Sequence, residues 1–272
     1  MSMQTNNQEK ITNLTLGLMK DQSEKIACMT AYDAAFAAVL DRSGIEVILV
    51  GDSVGMVVQG HTTTIPVTID EIIYHTQLVS RGTSRAMIMA DMPFMSYSSP
   101  QDCLTNAARL MKEGGAEVVK LEWGELEIDM VRRLTECGVP VCAHLGLTPQ
   151  AIHKYGGYRV QGREAEAAKK MQDDALALEA AGADIILLEC VPMNLASTIT
   201  QQAEVPVIGI GAGPECDGQI LVLYDVLDIA PGKRTRFSKN YMNLEGSIHG
   251  ALERYVKEVK SNSFPTEEYA FK

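Results

Sequence analysis

The sequence lacks the excess of basic residues that binding to a phosphate backbone or an anionic membrane surface requires. Among its 272 residues, 24 Lys and Arg stand against 35 Asp and Glu, so the formal net charge is -11 at pH 7. A surface of this charge repels nucleic acids and anionic lipids. We therefore expect neither a nucleic acid nor a membrane among the partners of this protein.

Long apolar stretches and export signals are also missing. No apolar run approaches the roughly 18 residues of a transmembrane helix, because Gly, Asp or Lys interrupts each run. The opening sequence MSMQTNNQEKITNL has neither the basic flank nor the apolar stretch of a secretory signal, so we expect no export. The cysteines are widely spaced, which is typical of reduced residues in a cytoplasmic protein. They are Cys28, Cys103, Cys137, Cys142, Cys190 and Cys216.

Short apolar runs rich in valine and isoleucine recur along the chain, and segments with helical spacing separate most of them. Two of these segments begin with helix caps, Thr68 with Glu71 and Ser99 followed by Pro100. Continuous apolar strands that alternate with helices are typical of a parallel sheet covered by helices. The predicted strands are residues 25–32, 47–52, 86–93, 118–123, 139–145, 185–190, 205–211 and 220–227.

An internal repeat favours one of the two parallel-sheet architectures. Segments 44–52, 115–122 and 182–189 each read as glycine, a small or apolar residue, an acid, a buried strand and a closing carboxylate. Glycine suits the left-handed residue that ends a helix before such a strand. Three copies in register favour an α/β fold of the (β/α)8 TIM barrel type over a doubly wound sheet.

We expect a single domain over residues 1–272, because no shift in composition marks a boundary. Residues 1–11 are polar and predicted to be loose, and residues 12–20 are predicted to form a short helix that caps the bottom of the barrel. Residues 243–261 have the pattern of a final helix. The C-terminal tail, residues 262–272, has too few apolar residues to pack independently, so it either frays or folds over a neighbour.

The predicted strands end mostly in acidic residues, and in a (β/α)8 barrel the strand ends form the active site. Carboxylates end the second, third, fourth and sixth strands and a histidine ends the fifth: Asp52, Asp91, Glu122, Glu189 and His144. Each alone could be a solvated loop residue or a helix cap. Four carboxylates on one rim repel one another, and a divalent cation relieves this repulsion. Carboxylate oxygens favour Mg²⁺ or Mn²⁺, and no HExxH or CxxC spacing supports zinc, so we expect Mg²⁺.

Lys120 lies two residues before Glu122 in the fourth predicted strand, so both side chains share one face of that strand. One interpretation is a snorkelling lysine whose stem lines apolar surface. The functional interpretation is stronger, because an ammonium inside the rim is costly unless it meets carboxylates or an anionic substrate. Together with Mg²⁺, such a lysine suits a carboxylate next to a carbonyl, which is a 2-oxo acid.

The glycine-rich segment 209–213 follows a predicted strand, as phosphate-binding loops in barrels do. Its spacing is not GxGxxG, and Pro214 interrupts it, so it indicates phosphate binding only weakly. Close packing of the chain at these glycines is an equally good interpretation.

Six strings of the sequence resemble the ketopantoate hydroxymethyltransferase family, and the similarity extends from about residue 12 to the tail. The resemblance implies a (β/α)8 barrel that transfers a hydroxymethyl group from 5,10-methylenetetrahydrofolate to 3-methyl-2-oxobutanoate. The implied product is 2-dehydropantoate, for pantothenate and coenzyme A synthesis. Our hypothesis for the mechanism is that the reaction passes through a Mg-stabilised enolate. The strings are VGDSVGMVVQGHTTTIPVT (50–68), ADMPFMSY (90–97), VCAHLGLTPQ (141–150), YGGYRVQGR (155–163), LLECVP (187–192) and PVIGIGAGPECDGQILV (206–222).

The resemblance also implies roles for single residues, a cofactor and an assembly. It implies that Glu189 is the catalytic proton acceptor. The implied cofactor is Mg²⁺, the implied co-substrate is 5,10-methylenetetrahydrofolate, and the implied assembly is a homodecamer built from pentameric rings. The implied metal ligands are Asp52, Asp91 and Glu122, and the implied substrate contacts are Asp52, Ser53, Asp91 and Lys120. His144 is left open between a partner of a carboxylate and a packed loop residue.

Two positions depart from the family, and two other functions stay open. Trp123 follows Glu122 where the family usually has glycine, and Tyr269 stands where histidine is common. The same barrel and carboxylates could cleave or rearrange other 2-oxo acids, as in the isocitrate lyase and phosphoenolpyruvate mutase group, and a folate requirement separates these reactions. Alternatively, Trp123 could mark a barrel that binds a ligand without turning it over.

Overall fold

Eight parallel strands close into a barrel in the computed structural model, which describes residues 9–122, 125–232 and 234–272. The strands pair in chain order, and the eighth pairs with the first. The predicted (β/α)8 barrel is confirmed, and the doubly wound sheet is excluded. The strands are β1 (Ile26–Thr30), β2 (Val47–Val50), β3 (Met87–Asp91), β4 (Val118–Glu122), β5 (Val141–Gly146), β6 (Ile185–Glu189), β7 (Val207–Ile210) and β8 (Gly218–Leu221).

Helices connect the strands and cover the barrel. The predicted caps are present, since the Thr68 and Ser99 hydroxyls accept hydrogen bonds from the first turns of α4 and α5. A π-helical turn, Leu110–Gly114, follows α5. The helices are α1 (Asn13–Asp21), α2 (Ala34–Arg42), α3 (Val54–Val57), α4 (Ile69–Gly82), α5 (Pro100–Arg109), α6 (Glu125–Glu136), α7 (Ile152–Tyr155), α8 (Ala165–Ala180), α9 (Met193–Gln202), α10 (Leu223–Val226), α11 (Met242–Glu245) and α12 (Ile248–Lys260).

The eighth predicted strand is wrong in its bounds. The sequence pattern predicts one strand over residues 220–227, but β8 ends at Leu221 and α10 begins at Leu223. The Leu223 amide donates to the Thr30 side-chain hydroxyl at 3.1 Å, which turns the chain out of the sheet. A continuous apolar run does not distinguish a buried strand from a buried helical turn, so the sequence pattern missed this boundary.

The glycines of the internal repeat occupy the backbone conformation that the sequence predicts. Gly44, Gly115 and Gly182 have φ values of +94°, +83° and +105°, and each separates a helical segment from the strand that follows it. Three βα units are therefore built in the same way. The carboxylates that close the three repeats consequently lie at the same end of the barrel.

Helix α1 lies across the bottom of the barrel, the end at which the strands begin. The Lys20 ammonium donates to the Asp217 carboxylate at 2.7 Å, and Asp217 immediately precedes β8. The predicted short helix over residues 12–20 is confirmed by α1. Residues 1–8 lie outside the described residues, whereas Ile11 is buried against the core.

The C-terminal tail packs on its own chain. Phe264 is buried, and the Met193 amide donates to the Phe271 carbonyl at 2.9 Å. The glycine-rich segment borders this tail, since a Cβ on Gly211 would lie 3.1 Å from ring atoms of Phe271 and Phe237. Of the two interpretations of segment 209–213, the structure therefore supports close packing of the chain.

The remaining expectations about the whole chain concern thiols and membrane spans. All six cysteines are free, and five of them are buried while Cys137 is exposed. Within the described residues, no helix combines the length and the apolarity needed to cross a bilayer.

Candidate functional site

Four carboxylates converge at the mouth of the barrel, the end at which the strands finish. Asp52 follows β2, and Asp91, Glu122 and Glu189 end β3, β4 and β6. The first three are almost completely buried, whereas 16% of the Glu189 side chain is exposed. We call these four residues the site carboxylates. The sequence predicted that they share one rim, and the structure brings them together there.

Strand pairing sets the heights of the side chains at the mouth. Because parallel neighbours are in fixed register, residues opposite one another lie side by side across the sheet. Three such pairs run from β3 to β6: Asp91 with Lys120, Glu122 with His144, and Gly146 with Glu189. The charged and polar side chains of Asp91, Lys120, Glu122, His144 and Glu189 therefore follow one another along this side of the mouth.

Lys120 is fully enclosed and serves as the counter-ion of the site. Its ammonium lies 2.5 Å from Asp91 Oδ1 and 3.6 Å from Glu122 Oε1. Burial alone would lower the pKa of Lys120, but the charges of Asp91, Glu122 and Asp52 together raise it above its ordinary value. The lysine stays charged as a result, and its 4% exposure excludes the snorkelling interpretation.

Negative charge is in excess at the mouth. Burial and then the charges of Asp91 and Glu122 raise the pKa of Asp52 well above its ordinary value. Burial also raises the pKa of Glu122, although Lys120 opposes this. For Glu189, burial and the charge of Glu122 raise the pKa to about 8. One lysine thus neutralises only part of the charge of four carboxylates, so the site favours protons or an added cation.

His144 lies between two of the site carboxylates. Its Nδ1 is 3.4 Å from Glu122 Oε1, and its Nε2 is 3.6 Å from Glu189 Oε2. Both ring nitrogens are buried, and among the described residues neither has a hydrogen-bond partner. Burial holds the pKa of His144 well below its ordinary value. The ring is therefore neutral. It belongs to β5, so the interpretation as a packed loop residue is wrong, and His144 adjoins both carboxylates.

Ser53 is held in place by a tyrosine that the sequence analysis did not identify. The Tyr32 hydroxyl lies 2.8 Å from Ser53 Oγ, and the Tyr32 side chain is buried. Ser53 itself immediately precedes α3, one residue after Asp52. Gly51 makes room for this arrangement, since a Cβ there would lie 2.9 Å from Ser53 Oγ and 3.3 Å from Asp91 Oδ2.

Two further residues at the mouth also escaped the sequence analysis. Gln150 is buried and donates hydrogen bonds to both Asp52 and Glu122. Tyr158 is half-exposed, and its hydroxyl is 3.5 Å from Met56 Sδ, so the segment after α7 reaches across to α3. The one sequence feature that could have identified Gln150 and Tyr158 is their position, since both follow β5 on the side of the barrel where the strands end. Trp123, the departure from the family, lies outside the described residues.

Glycine at position 146 allows β5 to approach the backbone of Glu189. Gly146 has a φ of +98°, and a Cβ there would lie 2.3 Å from the Glu189 carbonyl oxygen.

We expect Gly146→Ala to lower the free energy of unfolding by about 2–4 kcal/mol, because backbone strain adds to overpacking. Urea unfolding measures this loss. The matched control is Gly156→Ala, where φ is also positive, +67°, but nothing lies within 4 Å of the added methyl group. Equal stability of the two variants would contradict this account of Gly146.

A divalent cation fits the site by charge and by donor type. Carboxylate oxygens are the ligands that Mg²⁺ prefers, and the negative charge exceeds what Lys120 neutralises. Within the described part of the chain, no group of three or more His, Cys, Asp or Glu side chains is arranged to hold a metal ion as it stands. Asp91 faces Lys120 and Asp52 faces Gln150. Because a carboxylate has about four lone-pair sites, joint ligation would require these side chains to converge on one point, but not to give up their present partners.

Comparison with known proteins gives a consistent result over nearly the whole chain. The family model described as ketopantoate hydroxymethyltransferase matches residues 10–267. A protein of Alkalilimnicola ehrlichii named 3-methyl-2-oxobutanoate hydroxymethyltransferase is 58% identical over 93% of this chain and 91% of its own length. A protein of the same name from Nitrosococcus oceani is 54% identical over 96% of this chain and 99% of its own length.

Solved structures with a similar fold are much more distant in sequence. Oxaloacetate acetylhydrolase with 3,3-difluorooxalacetate has a TM-score of 0.60 and 14% identity, covering 81% of this chain and 83% of its own. Phosphonopyruvate hydrolase with oxalate and Mg²⁺ has a TM-score of 0.58 and 14% identity, covering 77% and 80%. At this identity the similarity shows a shared barrel fold alone.

Proposed function

The chain belongs to the ketopantoate hydroxymethyltransferase family, and from this premise we propose that it transfers a hydroxymethyl group to 3-methyl-2-oxobutanoate, forming 2-dehydropantoate for pantothenate synthesis. The observation that carries the proposal is 58% identity, over 93% of the chain, to a relative named for this activity. The site supports it, because a buried ammonium and a carboxylate of raised pKa suit removal of a proton beside a carbonyl.

Glu189 is the proposed base. The substrate carries one hydrogen on C3, next to the ketone, and a carboxylate that accepts this proton leaves an enolate. Glu189 is the only partly exposed member of the site carboxylates, so a substrate in the mouth can reach it. Its raised pKa of about 8 makes it a stronger base than an ordinary glutamate while it still ionises near neutral pH. The neutral His144 ring beside it adds no charge that would oppose this.

Lys120 and Ser53 are the proposed contacts of the substrate's oxygens. The Lys120 ammonium is charged and fixed by Asp91, so it is available to the substrate carboxylate and to the enolate oxygen without reorganising. Ser53 can donate a hydrogen bond from a position that Tyr32 fixes. Asp91 contacts the Lys120 ammonium, and Asp52, which precedes Ser53, donates its backbone N–H to Asp91. Asp52 and Asp91 therefore belong to the proposed substrate site.

We also propose Asp52, Asp91 and Glu122 as the residues that hold Mg²⁺. When bound, Mg²⁺ would supply Lewis-acid stabilisation of the negative charge that develops on the substrate, an effect worth several kcal/mol. The support for this proposal is the excess of buried negative charge together with the hard oxygen donors. The protein's own contribution is to hold Asp91 and Glu122 beside the charged Lys120 ammonium.

The rate of C3 proton exchange is expected to rise with pH as Glu189 loses its proton. A base must be unprotonated to act, so the rate is low below the pKa of about 8 and levels off above it. Added Mg²⁺ should move the midpoint to lower pH, because a nearby cation favours the ionised carboxylate. Exchange into D2O, followed by NMR across roughly pH 6 to 9, measures the profile. A rate that is independent of pH over this range would contradict the assignment of Glu189.

The proposed one-carbon donor is 5,10-methylenetetrahydrofolate, which the family resemblance implies. The test is to incubate the protein with 3-methyl-2-oxobutanoate, the donor and Mg²⁺, and to detect 2-dehydropantoate by mass spectrometry. We expect product only when both substrates are present, and much less after Mg²⁺ is removed with a chelator. Absence of product would overturn the proposal, and cleavage of a 2-oxo acid without the donor would instead indicate a lyase or mutase.

We further propose that the chain assembles into a homodecamer and acts in the cytoplasm, where its six free thiols stay reduced. Exposed apolar side chains on two helices offer surface that such an assembly could bury, namely Leu14 and Leu18 on α1 and Tyr74 on α4. Sedimentation velocity measures the mass of the assembly. A monomer at micromolar concentration would contradict the decamer.

A further inference from the structure

Gln150 connects two of the site carboxylates that come from different strands. It lies in the 3-10 turn Pro149–Ala151 after β5, and it is 97% buried, since its relative exposure is 3%. Its backbone N–H donates to Glu122 Oε2 at 3.0 Å, and its side-chain Nε2 donates to Asp52 Oδ2 at 3.0 Å. One residue thus contacts the carboxylate beyond β2 and the carboxylate that ends β4.

The side-chain amide of Gln150 can adopt only one orientation. Its Nε2 lies 3.0 Å from two oxygens, Asp52 Oδ2 and the Met92 carbonyl, and both of these only accept hydrogen bonds. Its Oε1 accepts a hydrogen bond from the Tyr97 hydroxyl at 2.7 Å. Both N–H groups and the oxygen of the amide are therefore satisfied, so rotating the amide by 180° would break all three contacts.

Asp91, the third buried carboxylate, is held by hydrogen bonds that connect it to Asp52 and Lys120. Asp91 Oδ2 accepts from the Asp52 backbone N–H at 2.8 Å, and Asp91 Oδ1 accepts from Lys120 at 2.5 Å. Lys120 therefore fixes Asp91 and approaches Glu122, whereas Gln150 contributes neutral donors to Asp52 and Glu122. A neutral amide can do this without altering the charge of the site, whereas a glutamate here would repel Asp52 and a methionine would remove this donor from Asp52.

We propose that Gln150, with its amide held by Tyr97, is a positioning residue that orients Asp52 and Glu122 for binding of a divalent cation and the 2-oxo acid. This inference rests on the proposed function, because it takes the cation and the 2-oxo acid as the ligands for which Asp52 and Glu122 are oriented. Groups that orient ligand carboxylates commonly change metal affinity or activity 10–100-fold when removed.

Gln150→Met is the variant that tests the side chain. It removes the amide at nearly constant volume and retains the backbone N–H that contacts Glu122. The matched control is Gln219→Met, because Gln219 is also 3% exposed but its amide donates to the Gly213 carbonyl, away from the carboxylates. Tyr97→Phe is a second test, since it removes the hydroxyl that donates to the Gln150 amide oxygen at 2.7 Å and that also lies 3.1 Å from the Glu122 backbone carbonyl.

Mg²⁺ affinity of the substrate-free protein is the first measurement, by isothermal titration calorimetry on wild type and the three variants. We expect the dissociation constant to rise at least about 10-fold in Gln150→Met, in the same direction but less in Tyr97→Phe, and less than about 2-fold in Gln219→Met. The second measurement is C3 proton exchange against substrate concentration. Excess Mg²⁺ should restore part of the rate in Gln150→Met, whereas a loss that saturating Mg²⁺ leaves unchanged would contradict a role in metal binding.

Wild-type affinity and exchange in Gln150→Met would overturn the inference, as would equal losses in Gln150→Met and Gln219→Met. If Gln150→Met fails to fold, Tyr97→Phe decides: a weaker Mg²⁺ affinity supports the inference, and an unchanged affinity overturns it. A wild-type protein that binds Mg²⁺ but makes no 2-dehydropantoate would defeat the proposed function. The comparison of Mg²⁺ affinities would still decide the role of Gln150 in that case.

Discussion

Replacement of Glu189 by glutamine is expected to slow C3 proton exchange of 3-methyl-2-oxobutanoate by about 10²–10⁴-fold, the usual contribution of a positioned base. The amide keeps the size of the side chain but cannot accept the proton. Substrate and Mg²⁺ affinities should stay within about 3-fold of wild type, because the proposed ligands are three other residues.

The change also removes a carboxylate whose raised pKa makes it unfavourable when ionised. Since the folded protein holds this proton more tightly than the unfolded chain does, ionisation of Glu189 costs stability as pH rises from its ordinary pKa of 4.5 through about 8. Glu189→Gln should therefore be at least as stable as wild type near pH 8. The control Glu136→Gln makes the same change at an exposed position of α6 and should leave exchange unaltered. Normal exchange in Glu189→Gln would remove Glu189 from the role of base.

Replacement of Asp91 by asparagine is expected to lower the free energy of unfolding by about 3 kcal/mol, because it removes the closest charged partner of a buried ammonium. It should also weaken Mg²⁺ activation, since one of the three proposed ligands loses its charge. Chemical unfolding and Mg²⁺ titration of the activity measure the two effects.

An exposed ion pair supplies the control for Asp91. Asp129 pairs with Arg133 at 2.7 Å on the surface of α6, and Asp129→Asn should cost less than about 1 kcal/mol. The double variant Asp91→Asn, Lys120→Met removes both members of the buried pair, so it should regain part of the stability but no activity. If Asp91→Asn matches Asp129→Asn in stability and keeps normal metal dependence, the buried pair is not the centre of the site.

Much of the fold could be predicted because each βα unit carries its own signals. The repeat glycines, the caps of α4 and α5 and the apolar strands are local features, and apart from the eighth strand they have the predicted structure. The boundary between β8 and α10 could not be predicted, because it depends on a contact between Leu223 and Thr30 that is distant in sequence.

The residues of the candidate site also fall into two groups, those that the sequence reveals and those that only the folded structure reveals. Asp52, Asp91, Glu122, Glu189 and Lys120 were recognisable because charged residues at the ends of buried strands are conspicuous. Gln150 and Tyr32 carry no charge and lie among residues of ordinary composition, so only the folded chain shows which carboxylate or hydroxyl they contact. His144 was visible as a strand end, but its position between two carboxylates follows from the pairing of β4, β5 and β6.

Proton NMR of 3-methyl-2-oxobutanoate in D2O with the wild-type protein, with and without Mg²⁺ and without any folate, tests the central claim most directly. The claim is that the mouth of this barrel removes the C3 proton of a 2-oxo acid. We expect the C3 proton signal to disappear in a Mg²⁺-dependent manner, with the methyl doublet collapsing as deuterium enters. Persistence of the signal with substrate shown to be bound, together with no 2-dehydropantoate after 5,10-methylenetetrahydrofolate is added, would contradict the account.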